Sequence, residues 1–156
     1  MNSKPGEDTD WQRLWFVTRQ RDWSSLAIVP SDPGIDVGPV AEALVATGRI
    51  HGERPVGLLR ATGAQLADVH RLTESLSAMT ARGEWVIVPV DSVSDNPTAV
   101  PIVQATSAAL LVVRLGESLL PSAHAAINAI GREHFLGSFV IGQGTPKDFQ
   151  SIPAKS

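Results

Sequence analysis

Five short, continuously apolar runs punctuate the chain: Ser25-Leu-Ala-Ile-Val-Pro30, Pro55-Val-Gly-Leu-Leu59, Glu84-Trp-Val-Ile-Val88, Ala108-Ala-Leu-Leu-Val-Val-Arg114 and Leu136-Gly-Ser-Phe-Val-Ile141. A strand with one face in water alternates apolar and polar residues, whereas a strand covered on both faces does not. The runs therefore predict strands buried between two layers of helix. Helical patterns fill the intervals. Between Gln65 and Arg82, apolar residues recur at Leu66, Val69, Leu72, Leu76 and Met79, and Gly83 is placed to close the helix. From Leu119 to Glu133 the stripe is Leu120, Ala123, Ile127 and Ile130, with Pro121 tolerated in the first turn. Gly38-Pro39 opens a helix expected to run to about Thr47 and end at Gly48. A further helix is expected from Thr9 to Arg21, with Trp11, Leu14, Trp15 and Thr18 on one face. Strand–helix alternation with short connections predicts an α/β fold, a three-layer α/β/α sandwich around a mainly parallel sheet.

The 156 residues suit one domain. Its expected extent is 9–142, with a disordered N-terminus over 1–8. The stretch after Gly142 has too little apolar content for another full element, so 143–156 is expected to be a frayed end or linker. Hydrophobic residues make up 43% and charged residues 19%, enough for a proper core. With 13 Lys and Arg against 16 Asp and Glu, the net charge of −3 argues against nucleic-acid binding. No cysteine is present, which excludes disulfides, thiol nucleophiles and thiolate metal sites. Neither a signal-peptide pattern nor a membrane-spanning run occurs, so a cytoplasmic protein without direct membrane insertion is expected.

Ligands of open parallel sheets bind beyond the carboxyl ends of the strands. The first such junction, Val29-Pro-Ser-Asp-Pro-Gly-Ile-Asp-Val-Gly-Pro-Val40, has the place and glycines of a phosphate-binding loop. Its chemistry is different. Val37, Gly38 and Pro39 stand where a lysine and a magnesium-binding hydroxyl are needed, and Asp32 and Asp36 put negative charge where phosphates would lie. Asp91, Asp95 and Asn96 follow the third strand and read either as a residual polar site or as a loop opening the next helix. His51, His70, His124 and His134 lack paired spacing, so surface positions rather than a metal site are expected. No Ser-His-Asp arrangement can be assembled, and Gly-x-Ser-x-Gly is absent. Trp11, Trp15 and Trp23 cluster near the N-terminus. They could pack the first helix on its own sheet or form a partner interface.

The loop and strands together resemble the deviant Walker-motif ATPases, specifically the tyrosine-kinase domains of bacterial capsule and exopolysaccharide synthesis, which sit beside the partition and cell-division ATPases. Ser31-Asp-Pro33-Gly34-Ile-Asp-Val-Gly-Pro39 keeps the family's Pro-Gly and loses its Lys-Ser-Thr. The second motif, at Val56-Gly-Leu-Leu-Arg60-Ala-Thr62, lacks the family's aspartates, and Pro89 replaces the Walker B aspartate after Trp85-Val-Ile-Val88. Ala108-Ala-Leu-Leu-Val-Val-Arg114-Leu-Gly116-Glu-Ser118 and Leu136-Gly137-Ser-Phe-Val-Ile141 match the family's later strands. The family's tyrosine-rich tail has no counterpart in a chain without tyrosine. The resemblance implies a P-loop NTPase-like fold stripped of its catalytic residues: a pseudo-ATPase and pseudokinase that uses no cofactor and no metal. Ser31, Asp32, Pro33, Gly34, Asp36 and Gly38 would be its vestigial loop. It further implies an accessory or regulatory partner in bacterial exopolysaccharide or cellulose synthesis or export. Such a protein would be drawn to the inner membrane by a membrane-embedded polysaccharide copolymerase or synthase, and could form a homo-oligomer. The kinases carry an Arg-rich motif on this helix that they use in subunit contacts; only Arg13 fits it here, and it would join the tryptophans in a partner interface. The alternative expectation is a small α/β enzyme or ligand-binding protein that uses Asp32, Asp36, Asp91 and Asp95 at the carboxyl edge.

Overall fold

The computed structural model describes residues 8–114, 116, 120–142 and 144–152. The element order is α1 (Thr9–Arg19), β1 (Ser25–Pro30), α2 (Gly38–His51), β2 (Val56–Leu58), α3 (Val69–Ala81), β3 (Trp85–Pro89), α4 (Ala99–Ala105), β4 (Ala108–Arg114), α5 (Leu120–Ile130), β5 (Phe135–Gly142) and β6 (Thr145–Ser151). The expected disorder of residues 1–8 falls almost wholly outside the described residues; Asp8 itself caps α1 by accepting from the Asp10 amide at 2.8 Å.

The six strands form one sheet in the order β2-β3-β1-β4-β5-β6. The first five run parallel, and β6 returns antiparallel to β5. Consecutive side chains of a strand point to opposite faces, so each strand feeds two cores. Leu26 and Ile28 of β1, Ile87 of β3 and Leu110 and Val112 of β4 meet α1 and α2 on one face. Ala27, Val29, Val86, Val88, Ala109 and Leu111 meet α3, α4 and α5 on the other. Every residue of β1 and β3 is buried, which is the physical cause of their unbroken apolar sequence. The α/β sandwich expected from the sequence is thus present. Among the described residues, no helix is long and apolar enough to cross a membrane.

Several boundaries differ from expectation, beginning with α1, which ends at Arg19 rather than Arg21. The segment after Gly142 is not a frayed tail over 145–151: it forms β6, which packs against α1 through Phe149 and its neighbours. Only Pro146 of this strand is fully buried, and this is why its sequence lacks an apolar run. Helix α2 continues through Gly48 to His51. Gly48 is a packing glycine rather than a cap, since a Cβ there would lie 2.6 Å from the Trp15 ring. Helix α5 stops at Ile130, where Gly131 takes a positive φ of 112°.

Trp11, Trp15 and Trp23 belong to the core and not to a contact surface; Trp15 is only 1% exposed. Trp15 meets Trp23 edge-on at 5.8 Å between centroids, and both meet Trp85 of β3, at 5.9 and 6.2 Å. Three large amphipathic rings converge because Trp23 directly precedes β1 and Trp85 opens β3, the parallel neighbour of β1. The Trp23 indole N–H donates to the Thr18 carbonyl at 3.0 Å, so its one polar group stays paired. The Arg19 guanidinium lies over Trp85 at 3.8 Å and over Trp23 at 4.5 Å, and also donates to the Trp23 carbonyl. Burial lowers the Arg19 pKa from its ordinary value, against the raising influence of Asp22. Arg13 remains exposed, paired along the helix with Asp10 at 3.5 Å.

Candidate functional site

The chain leaves β1 for α2 on one face and leaves β3 for α4 on the other. Because β1 and β3 are neighbours, their following loops diverge and a crevice opens between them, at the switch point where ligands of such sheets bind. The crevice has a volume of about 280 Å³. Asp32 and Asp36 line it from the first loop, Asp91, Ser92 and Asp95 from the second, and Thr62 from the loop after β2. The two aspartate pairs, far apart in sequence, therefore share one site.

Both loops spend most of their polar groups on bonds within the protein. Ser31 donates its amide to the Val112 carbonyl at 2.9 Å and its hydroxyl to Asp32 at 2.8 Å, which lets Asp32 sit buried. Pro33 is exposed, and Gly34 turns the chain with a φ of 89° into open space. Asp36 then folds back, its Oδ1 accepting the Gly38 amide at 2.9 Å. That amide begins α2. A helix start carries unpaired N–H groups and partial positive charge, and it attracts anions for that reason. Here one donor is taken by the chain's own carboxylate, and Pro39 supplies none.

On the second loop, Asp91 Oδ2 accepts the Gly63 amide at 2.7 Å and the Asn96 side-chain amide at 3.0 Å. Asn96 also donates to the Ala64 carbonyl at 2.8 Å and accepts the Thr98 amide at 3.2 Å. Asp91 and Asn96 thus brace the loop after β2 against the start of α4. Of the sequence alternatives for this stretch, the helix-opening loop has these bonds behind it. Ser92 Oγ accepts the Asp95 amide at 3.2 Å, leaving the exposed Asp95 carboxylate at the crevice mouth. Pro89 ends β3, and its carbonyl accepts the Ala61 amide at 3.1 Å.

No lysine or arginine is among the described residues lining the crevice. Arg60, which follows β2, pairs instead with Glu42 on α2. Among the described residues, no three His, Cys, Asp or Glu side chains are arranged to hold a metal ion. The histidines are dispersed: His51 stands edge-on to Phe16 at 5.7 Å, His70 pairs with Glu74 at 3.1 Å, His124 is exposed, and His134 Nε2 lies 3.1 Å from Thr106 Oγ1. A crevice of this kind is negative, small and self-bonded, suited to repelling phosphate and to attracting cations at its rim. Sequence reasoning placed its aspartates but missed Thr62 and the bracing role of Asp91. Both depend on β2 lying beside β3, which no local pattern announces. In comparisons with known proteins, no family model matches the chain and no curated protein shows significant similarity to it.

Proposed function

We propose that this chain is a non-catalytic protein of nucleotide-ATPase-like form that works by holding protein partners. Its setting would be bacterial exopolysaccharide or cellulose synthesis and export, beside a membrane-embedded copolymerase or synthase. One observation carries the non-catalytic part: the Gly38 amide at the start of α2, which a phosphate would need, is bonded to Asp36 within a carboxylate-lined crevice. A bound triphosphate would have to displace that carboxylate and then sit among like charges. The absence of a lysine from the Ser31–Gly38 loop points the same way. The polysaccharide setting is supported by the likeness of the β1 loop, the β4 stretch and the β5 stretch to the exopolysaccharide kinases.

Isothermal titration with ATP and magnesium tests the first part. No measurable heat is expected, and a micromolar dissociation constant would overturn it. Co-purification with a polysaccharide copolymerase or synthase tests the setting. Recovery of soluble metabolic enzymes alone would count against it.

A second reading, a small α/β enzyme or ligand-binding protein, is favoured by the gathering of four carboxylates at the switch point. It predicts a cationic ligand. Thermal shift with a diamine such as putrescine separates the two readings. Stabilisation that vanishes in Asp95→Ala supports the ligand-binding protein, and no stabilisation leaves the partner-holding role.

A further inference from the structure

A second concavity lies away from the crevice. A groove of about 580 Å³ runs between α1 and β6, on the sheet face opposite α3–α5. Its volume lies in the range of small-molecule sites. Leu14 and Val17 of α1, Phe139 of β5 and Phe149 of β6 make an apolar, aromatic floor. Asp10 and Arg13 stand on the α1 wall, and Lys147 and Asp148 on the β6 wall.

The β6 wall is built against the ordinary rule for strands. Alternate residues should face opposite ways, yet the four consecutive residues Pro146, Lys147, Asp148 and Phe149 all line the groove. The cause is local. The β5–β6 register shifts between Ser138 and Val140, and Asp148 takes a φ of 54°, the one described non-glycine residue with positive φ. Aspartate tolerates that conformation better than most residues, but at a cost, and irregularities of this kind re-aim side chains beside functional sites. Gly137 completes the arrangement, since a Cβ there would meet the Phe149 ring at 2.6 Å.

The charges decide the ligand. Each wall carries one acid and one base, so the groove has no net charge and gives no preference to a simple anion or cation. On the α1 wall Arg13 and Asp10 pair with each other at 3.5 Å, whereas on the β6 wall neither Lys147 nor Asp148 has an ion-pair partner within 4.0 Å among the described residues. A ligand that satisfies both signs must carry an ammonium and a carboxylate on a flat apolar body. We propose that the α1–β6 groove binds a zwitterionic aromatic ligand of the amino-acid class. Its ring would lie on the half-buried Phe149 and Val17, its carboxylate toward Lys147 and its ammonium toward Asp148, with the Arg13–Asp10 pair on the facing wall.

The test uses the purified full chain with three probes that share one ring: L-tryptophan with both charges, indole-3-acetate with the anion only and tryptamine with the cation only. By titration calorimetry, L-tryptophan is expected to bind with a dissociation constant of about 0.5 mM, the ligand efficiency typical of such sites. Each singly charged probe is expected to bind at least about fivefold more weakly, by loss of one charge-assisted contact. Amide NMR shifts should concentrate at Val17 and Phe149. Lys147→Glu, at an exposed position that leaves the fold intact, should weaken L-tryptophan about tenfold or more. Phe149→Ala should do the same, with Lys147→Glu as the check against loss of β6. No binding up to about 5 mM, tenfold above the expected constant, equal binding of all three probes, or unchanged binding by Lys147→Glu would each overturn the proposal.

Discussion

Gly48→Ala is the sharpest test of how the first helix is held. In an isolated helix the substitution favours folding by about 1 kcal/mol, because alanine loses less backbone entropy. In this helix the new methyl would stand 2.6, 2.8 and 3.0 Å from three carbons of the Trp15 six-membered ring. Real Cβ atoms do not approach so closely, so something must move. The ring is poorly placed to give way: it is 1% exposed and fixed by Trp23 at 5.8 Å and Trp85 at 5.9 Å. Overpacking a well-filled core costs about 1–3 kcal/mol, and three contacts against a pinned ring place this site at about 2–3. The net is a loss of about 1–2 kcal/mol, or about 2–8 °C in Tm for a chain of this length. Urea unfolding followed by tryptophan fluorescence measures it. The decisive comparison is the same substitution in a Trp15→Phe background, where the smaller ring leaves room. There Gly48→Ala should become neutral or stabilising, giving a coupling of about 1–3 kcal/mol. Equal effects in both backgrounds, or a more stable Gly48→Ala single variant, would refute the packing argument.

Two further outcomes are expected. Burial holds the His134 pKa below its ordinary value, outweighing the raising influence of the Val103 carbonyl and Glu133. The folded protein therefore binds fewer protons than the unfolded chain as pH falls through the ordinary histidine range, and stability must drop there. The urea midpoint should fall between about pH 7.5 and 5.5, the window around the free histidine pKa, and His134→Gln should flatten that part of the profile; an unchanged slope would exclude His134 as its source. Gly137→Ala should disturb β6, because the added methyl meets the Gln150 carbonyl oxygen and, at 2.6 Å, the Phe149 ring. Faster trypsin cleavage after Lys147, with the remaining core protected, is the expected readout, and unchanged protection would contradict it.

How much of this was legible beforehand varies by element, for physical reasons. β1, β3 and β4 could be read directly because burial on both faces leaves polar residues only at the ends of the runs, at Ser25 and Arg114. β6 could not, since Lys147, Asp148, Gln150 and Ser151 are exposed and hydropathy carries no trace of pairing. Its only sequence cue is Gly142-Gln-Gly144, a hairpin signal after an apolar run. A tryptophan stripe on a helix looks the same whether it meets its own sheet or a partner. Trp85, far along the chain, is what completes the buried cluster, and only the β1–β3 pairing brings it there. The crevice aspartates were placed correctly at the carboxyl edge because strand direction alone fixes that. Their bonds depend on strand order, and so Asp91 holding Gly63 across the β2–β3 boundary could not be foreseen.

The position of β1 also bears on how the protein is made. Leu26 pairs with Ala108 on one side and Ile87 on the other, so the central strand leaves the ribosome long before either neighbour exists. Its contacts with β4 span 82 residues, as in the bond from Ser25 to Ser107. At usual synthesis rates that separation is a wait of about 4–16 s. For most of it, until β3 is made, the buried strand β1 and the tryptophan-bearing helix before it have no sheet to join, and nascent chains halted before β3 should be the form that chaperones hold most tightly.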